Sequence, residues 1–254
     1  MGVVNVTPDS FSDGGRYFDA QDAVAHARQL AADGADLIDI GGESTRPGAA
    51  PVSEEEELDR VLPVVQALRD LPVSVDTRRP KVMRAVLEAG ASMINDVEAL
   101  TAPGAFEAVA SSGCALCLMH KKGDPATMQQ DPRYEDLLGE VKNFLNERVT
   151  SCSGAGIARG RLVVDPGFGF GKTAEHNLLL LKSLRELSDL PILAGLSRKS
   201  TLGKLTGRPV GERLAGSLAL ALLALQAGAR ILRVHDVRET RDIVAVWQAY
   251  NNVA

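Results

Sequence analysis

Polar side chains that could do chemistry stand at or just past the ends of short apolar runs: Asn5, Asp39, Asp76, Asn95, Asp165 and the pair Arg233 and His235. An ionised carboxylate in such a place accepts two adjacent N–H donors with charge assistance, and an asparagine both donates and accepts. Arginine offers an anion a bidentate fork. Arg233 and His235 are two apart on one run, so on a strand both point to the same face. A single aspartate here could merely cap the next helix, and His235 alone could be a capping or core histidine. Six run ends behaving alike point instead to one binding surface.

The stretch DPGFGFGKT, residues 165–173, also invites a chemical reading because it ends in Gly-Lys-Thr. A Walker A loop needs glycine five residues before the glycine of that triplet, and Pro166 stands there without an N–H. Gly167, Gly169 and Gly171 run G-x-G-x-G, which is not the dinucleotide-binding pattern either. The spacing therefore excludes a nucleotide loop and leaves a turn between strand RLVVD and the helix that follows.

Composition narrows the class. With 254 residues the chain suits one large α/β domain. Its 45% apolar content supplies a sizeable core, and the 4% aromatic content means that Val, Leu, Ile and Ala fill it. A net charge of −5 argues against nucleic acid or an anionic membrane as partner, while leaving room for a small anion in a local basic pocket. No signal peptide or membrane span is expected; the most apolar helix, SLALALLALQAGA, is broken by Gln226. Three cysteines cannot form a complete disulfide framework, and Cys114 and Cys117, three apart on a strand, point to opposite faces. Buried thiols in a reducing cytoplasm are the expectation for these two and for Cys152.

The elements that must position the polar residues alternate along the chain. Strands are expected at 3–6, 36–40, 72–76, 92–96, 114–119, 161–165, 191–195 and 230–234. Helices are expected at 20–33, 53–70, 79–89, 104–112, 133–154, 174–188, 198–226 with a break near Pro209, and 236–251. Eight strand–helix units predict a single (β/α)8 TIM barrel over 1–254, with the active site at the C-terminal ends of the strands; a doubly wound open sheet is the alternative. Two of the strand-end connections, NVTPDSFSDGGRYF and GGESTRPGAAPVS, are far longer than usual and read as lids or clamps.

The segments NVTPDSFSDGG, DIGGESTRPGA, SVDT, INDV, LMH, DPGFGFGK, LSRKS and RVHDV occur in this order, one at the end of each successive strand. From Met1 to beyond Val237 the chain resembles the dihydropteroate synthases, folate-pathway transferases that are inhibited by sulfonamides. Members are (β/α)8 barrels that join 4-aminobenzoate to 6-hydroxymethyl-7,8-dihydropterin diphosphate and release diphosphate with Mg2+ present. The resemblance implies a catalytic set of Asp76, Lys199, Arg233 and His235. It implies a pterin pocket of Asp76, Asn95, Val97, Met119, Asp165, Gly195 and Lys199. For diphosphate it implies Asn5, Thr45, Arg233, Val234 and His235, with Asn5 also toward the metal. For 4-aminobenzoate it implies Phe11, Thr45, Arg46, Pro47, Gly169, Phe170, Lys199 and Ser200. A homodimer through helices near the C-terminus is also implied.

These roles make chemical sense. A pterin's 2-aminopyrimidine edge presents adjacent N–H donors to Asp165 and Asp76. Asn95 suits the mixed ring edge, and Lys199 can donate to the ring carbonyl. The aryl amine is itself the nucleophile, so no Ser-His-Asp or Cys-His set is required. Asp76 is the candidate to stabilise the cation left when diphosphate departs. Ser200 falls in the first turn of a helix, where unpartnered N–H groups favour a carboxylate; an ordinary N-cap serine is the alternative. Two features depart from the family. The sequence opens directly on the first strand, and Lys121-Lys122, expected to be solvated charges, replace Met-Gln. Rival functions are a corrinoid-type pterin methyltransferase domain and a non-catalytic pterin-binding paralogue.

Overall fold

The computed structural model describes residues 1–7, 20–43, 52–124 and 127–253. Each expected strand is present: β1 (Gly2–Asn5), β2 (Ile38–Gly41), β3 (Val73–Asp76), β4 (Met93–Asp96), β5 (Ala115–Met119), β6 (Leu162–Asp165), β7 (Leu193–Ala194) and β8 (Ile231–Leu232). β1 to β6 pair in parallel in chain order, and β7 pairs with β8. Single parallel bridges join Val164 to Ile192 and Gly2 to Val234, so β6 meets β7 and β8 meets β1. The seam at β1 carries Val3 N–H to Val234 O at 3.1 Å and Val234 N–H to Met1 O at 2.9 Å. The strands thus form a closed eight-membered ring rather than an open sheet.

Side chains alternate across that ring, as the pleat requires. Val4, Ile40, Val75, Ile94, Leu118, Val164, Ala194 and Val234 face outward into the main core. The opposite parity packs the barrel interior with Met93, Cys117, Val163 and Leu193, against Met1, Leu37, Ala115 and Ile231. One step further along each strand the same inward parity turns polar, with Asn5, Asp39, Asp76, Asn95, Asp165 and Arg233. An apolar plug below and a polar floor above it follow from sequence parity alone.

Around the ring lie α1 (Ala20–Ala32), α2 (Glu54–Ala67), α3 (Pro80–Glu88), α4 (Ala105–Val109) and α5 (Leu137–Gly154). They continue with α6 (Ala174–Lys182), α7 (Leu184–Leu187), α8 (Ser200–Thr206), α9 (Leu214–Gln226) and α10 (Val237–Asn251). Several helices are shorter than their apolar patterns suggest. α5 starts at Leu137 because Asp136 caps it, its carboxylate accepting the Gly139 N–H at 3.0 Å. The expected 174–188 helix breaks at Ser183 into α6 and α7. The expected 198–226 helix divides into α8 and α9, because Gly207 ends α8 at φ +70° and Pro209 follows. It also begins two residues late, since Arg198 sits at φ +58°, outside helical geometry.

Candidate active site

Arg233 ties the floor of the barrel mouth together. Its Nε donates to Asp39 Oδ2 at 2.6 Å and its Nη2 to Asp76 Oδ2 at 3.1 Å. Asn95 Nδ2 reaches Asp39 Oδ2 at 3.4 Å, so β2, β3, β4 and the end of β8 converge on one polar cluster. Burial alone would lower the Arg233 pKa, but Asp39 and Asp76 together raise it and keep the guanidinium charged. Burial pushes the Asp76 carboxyl up to about 7, opposed by Arg233 and reinforced by Asp39. Asp39 Oδ1 and Asn95 Oδ1 are buried acceptors without a hydrogen-bond partner among the described residues. Such acceptors fit a ligand rich in N–H donors, since leaving them unmet costs free energy.

The glycine-rich stretch forms the opposite wall and inverts the expectation for a phosphate loop. Gly167, Gly169 and Gly171 all take left-handed φ values of +70°, +80° and +65°. A Cβ on Gly167 would fall 1.8 Å from His120 O, and one on Gly171 2.1 Å from Lys122 O, so only glycine fits against the segment after β5. In this turn the carbonyls, rather than the amides, are gathered by donors. Lys172 Nζ donates to Gly167 O and Phe170 O, each at 3.0 Å. Lys199 Nζ donates to Phe168 O, Gln129 Nε2 to Gly169 O, and Tyr134 Oη to Gly171 O at 2.9 Å. The lysine of Gly-Lys-Thr therefore holds its own loop; it serves no nucleotide.

Asp165 closes β6 beneath this loop, with Oδ1 accepting the Gly167 N–H at 2.7 Å. Burial raises its carboxyl, while Lys199 and that N–H oppose the rise. Lys199 lies over the Phe170 ring at 4.7 Å. Burial lowers its ammonium to about 8, with Asp165 opposing. The turn that delivers it is the left-handed Arg198, whose N–H donates to Ser217 Oγ at 3.0 Å and whose Nε donates to Asp236 at 3.1 Å. Gly195 completes this side: a Cβ there would stand 3.8 Å from Arg233 Cβ and 3.9 Å from Lys199 Nζ.

The remaining sequence-predicted residues fall into four groups. Asn5, Val97 and Met119 share the inward parity; Met119 pairs in register with Asp165, and Val97 is buried. His235 has inward parity too, but its ring Nδ1 engages Ser197 Oγ at 3.1 Å. Val234 points away: its side chain lies in the outer core and its backbone is spent on the β1 seam. Ser200 is exposed and is the first residue of α8, whose N-cap is Lys199, so it is not a capping serine. Phe11, Thr45, Arg46 and Pro47 lie outside the described residues.

Lys121 and Lys122 differ from the expectation of free solvated charges. Lys121 Nζ pairs with Glu98 Oε1 at 2.7 Å. Lys122 Nζ pairs with Glu140 Oε2 at 2.7 Å and lies 4.2 Å from the Tyr134 ring centre. Both lysines stitch neighbouring loops at the rim. Sequence reading gave no role to Lys172, and none to Asp96, whose carboxylate accepts the N–H groups of Glu98 at 2.7 Å and Leu100 at 2.8 Å. Strand-end placement was the available signal for Asp96; for Lys172 none existed beyond the failed nucleotide motif.

Known proteins share this chain's sequence and fold over nearly its whole length. The profile of the pterin binding enzyme family matches residues 1–235. Dihydropteroate synthase of Escherichia coli (strain K12) is 51% identical over 254 residues, covering 98% of this chain and 90% of its own. The structure of Xanthomonas albilineans dihydropteroate synthase with 4-aminobenzoic acid matches with TM-score 0.94 and 54% identity, over 100% of this chain and 93% of that one. Burkholderia cenocepacia dihydropteroate synthase complexed with 7,8-dihydropteroate matches with TM-score 0.90 and 47% identity, over 99% and 90% respectively. With a full barrel, a polar strand-end floor and relatives of this identity, the chain belongs to the dihydropteroate synthase family of pterin-binding enzymes.

Proposed function

We infer that the chain condenses 4-aminobenzoate with 6-hydroxymethyl-7,8-dihydropterin diphosphate to give 7,8-dihydropteroate and diphosphate. The observation that carries this reading is the mouth itself: the buried acceptors of Asn95 and Asp165 and the half-buried carboxylate of Asp76 stand beside the cations Arg233 and Lys199. A pterin supplies N–H donors for the acceptors, and its diphosphate supplies an anion for the guanidinium.

In this account Asp165 and Asn95 hold the pterin edge, Lys199 donates to the ring carbonyl, and Val97 and Met119 pack against the ring. Gly195 leaves the gap between Arg233 and Lys199 open to the ligand. The bond from the exocyclic methylene carbon to the diphosphate oxygen breaks, with its electron pair leaving on oxygen. The amine of 4-aminobenzoate then forms the new C–N bond and loses one proton. Asp76 stabilises the cationic methylene through space, an effect strengthened where water is excluded. Arg233, His235 and Asn5 receive the departing anion; Arg233 retains N–H groups beyond those bound to Asp39 and Asp76. Thr45 joins them, and for Val234 only proximity remains as a role. Gly169 and Phe170, with Phe11, Thr45, Arg46, Pro47, Lys199 and Ser200, form the aminobenzoate side.

Mg2+ fits the donor set. Among the described residues no cluster of His, Cys, Asp and Glu is arranged to hold a metal, and Asn5 offers one amide oxygen. That suits an ion which keeps several waters and takes few protein ligands alongside substrate phosphates. When bound, it would neutralise charge on the diphosphate.

A homodimer is part of the reading. Leu214 and Leu223 on α9, and Val246 and Tyr250 on α10, are large apolar side chains exposed on adjoining helices. A cytoplasmic setting is supported by three buried free cysteines, and no described helix is long and apolar enough to cross a membrane. The reading is tested by incubating purified protein with both substrates and Mg2+ and quantifying 7,8-dihydropteroate chromatographically. Failure to form it would remove the assignment.

A further inference from the structure

Lys172 is among the largest fully buried side chains in the molecule, with 2% of its surface exposed. A buried ammonium is costly unless several acceptors surround it. Here four do: Gly167 O and Phe170 O at 3.0 Å, His120 Nδ1 at 2.9 Å and His120 O at 3.5 Å. While Lys172 carries its charge it only donates, and His120 Nδ1 then presents its lone pair with the ring proton on Nε2. The ring is held neutral by burial and by Lys172, which lower its pKa to about 3. Burial also lowers the Lys172 ammonium to about 7, with Asp165 opposing and Lys199 adding to the drop.

The two carbonyls gripped by Lys172 bracket Phe168 and Gly169. Near Asp165 the chain is independently fixed, by the Gly167 N–H to Asp165 Oδ1 contact and by His120 N–H to Asp165 O at 2.9 Å. Phe168 is anchored in the core. In the outer half of the loop Gln129 and Asn177 hold Gly169 and Tyr134 holds Gly171 O, while Lys172 holds the carbonyl of Phe170, whose ring meets the Lys199 ammonium.

We propose that Lys172 is a positioning residue for the aminobenzoate subsite: caged by the carbonyls of its own loop and by His120, it sets Gly169 and Phe170 as the wall against which the second substrate binds. This rests on the reading that Gly169 and Phe170 line that subsite. Lys172 touches no substrate. Its effect therefore falls on capture of 4-aminobenzoate, because the pterin-facing Asp165 keeps its own contacts and the reacting groups stay in place.

The test is steady-state kinetics on the full chain, with folding checked by near-ultraviolet circular dichroism. Lys172→Met keeps the length and removes the donors. It should raise the KM for 4-aminobenzoate on the order of tenfold, as expected for lost hydrogen bonds from a charged group, while kcat stays within about threefold. His120→Leu, which deletes one acceptor, should move the same constant in the same direction. His120→Asn, whose amide oxygen can take the place of Nδ1, should return it to within about threefold of the parent. A folded Lys172→Met enzyme with unchanged KM, or with kcat falling as far as kcat/KM, overturns the proposal. If Lys172→Met does not fold, the two His120 variants decide: equal KM values for Leu and Asn overturn it. Phe170→Ala, run in parallel, separates the two levels. An unchanged KM there sinks the subsite reading, whereas a raised KM there with normal Lys172→Met kinetics sinks the role of Lys172 alone.

Discussion

At position 165 an amide differs from a carboxylate by one acceptor. The Gly167 N–H already fixes an acceptor at Oδ1. In Asp165→Asn the amide oxygen would take that contact, and the NH2 would face the pterin's own N–H groups. A buried donor left unmet costs about 1–3 kcal/mol, so pterin affinity measured by calorimetry should fall roughly ten- to a hundredfold, with the thermal midpoint little changed. Unaltered pterin affinity would remove Asp165 from the pocket. Asp76 makes a separate prediction through pH. Its folded carboxyl is raised from 3.8 to about 7, so the folded state favours the protonated form. That contribution is fully present below pH 4 and is lost as pH rises through 7. Asp76→Asn escapes the loss, so its urea midpoint relative to the parent should climb between pH 4 and 8, by at most about 4 kcal/mol for a shift of this size. A difference constant with pH would contradict the raised carboxyl. The placement of Asp76, Asn95 and Asp165 in the barrel mouth was legible because residue type and strand-end position agreed. Asp39 stood in the same pattern without a role, because the partner that defines it, Arg233, lies 194 residues away in sequence. Lys172 was hidden by a familiar triplet; its acceptors are carbonyls, which every residue carries, so no side-chain pattern announces them.

Among the elements, the turn after β4 depends most visibly on one side chain. Ala99 and Leu100 adopt φ of +52° and +59°, a region costly for residues with a Cβ. Asp96 offsets that strain by accepting the N–H groups of Glu98 and Leu100. Asp96→Ala orphans both, and should lower unfolding free energy by about 2–4 kcal/mol while loosening the neighbouring Asn95 and Val97. A loss below about 0.5 kcal/mol in urea titration would mean that the turn is held by packing alone. Helix and strand existence was legible from periodicity, and boundaries were not. The segment LSRKS reads as a helix start, yet the structure spends Arg198 on a left-handed turn tied to Ser217 and Asp236 before α8 begins. Ser217 and Asp236 belong to later elements, so a local window cannot contain the reason for the turn. The same holds for β8, whose end at Val234 is bridged to Gly2 at the far end of the chain.

For the whole molecule, eight alternating units sufficed to predict the barrel, because no other arrangement buries eight apolar parallel strands on both faces without an edge. Assembly is written less clearly: α9 is apolar nearly all round, which fits a buried helix, yet Leu223 remains 47% exposed and Tyr250 on α10 77% exposed. Sedimentation of the purified chain should give a dimer, and Leu223→Glu with Tyr250→Glu should shift it to monomer without unfolding the barrel. A monomeric parent protein would remove the dimer from the account. The most direct test of the central claim, that the mouth joins two substrates, is diphosphate release from the pterin diphosphate with and without 4-aminobenzoate. The account predicts release only when both are present, in equal amount to the 7,8-dihydropteroate formed. Release at the same rate without 4-aminobenzoate, or none with both, would contradict it.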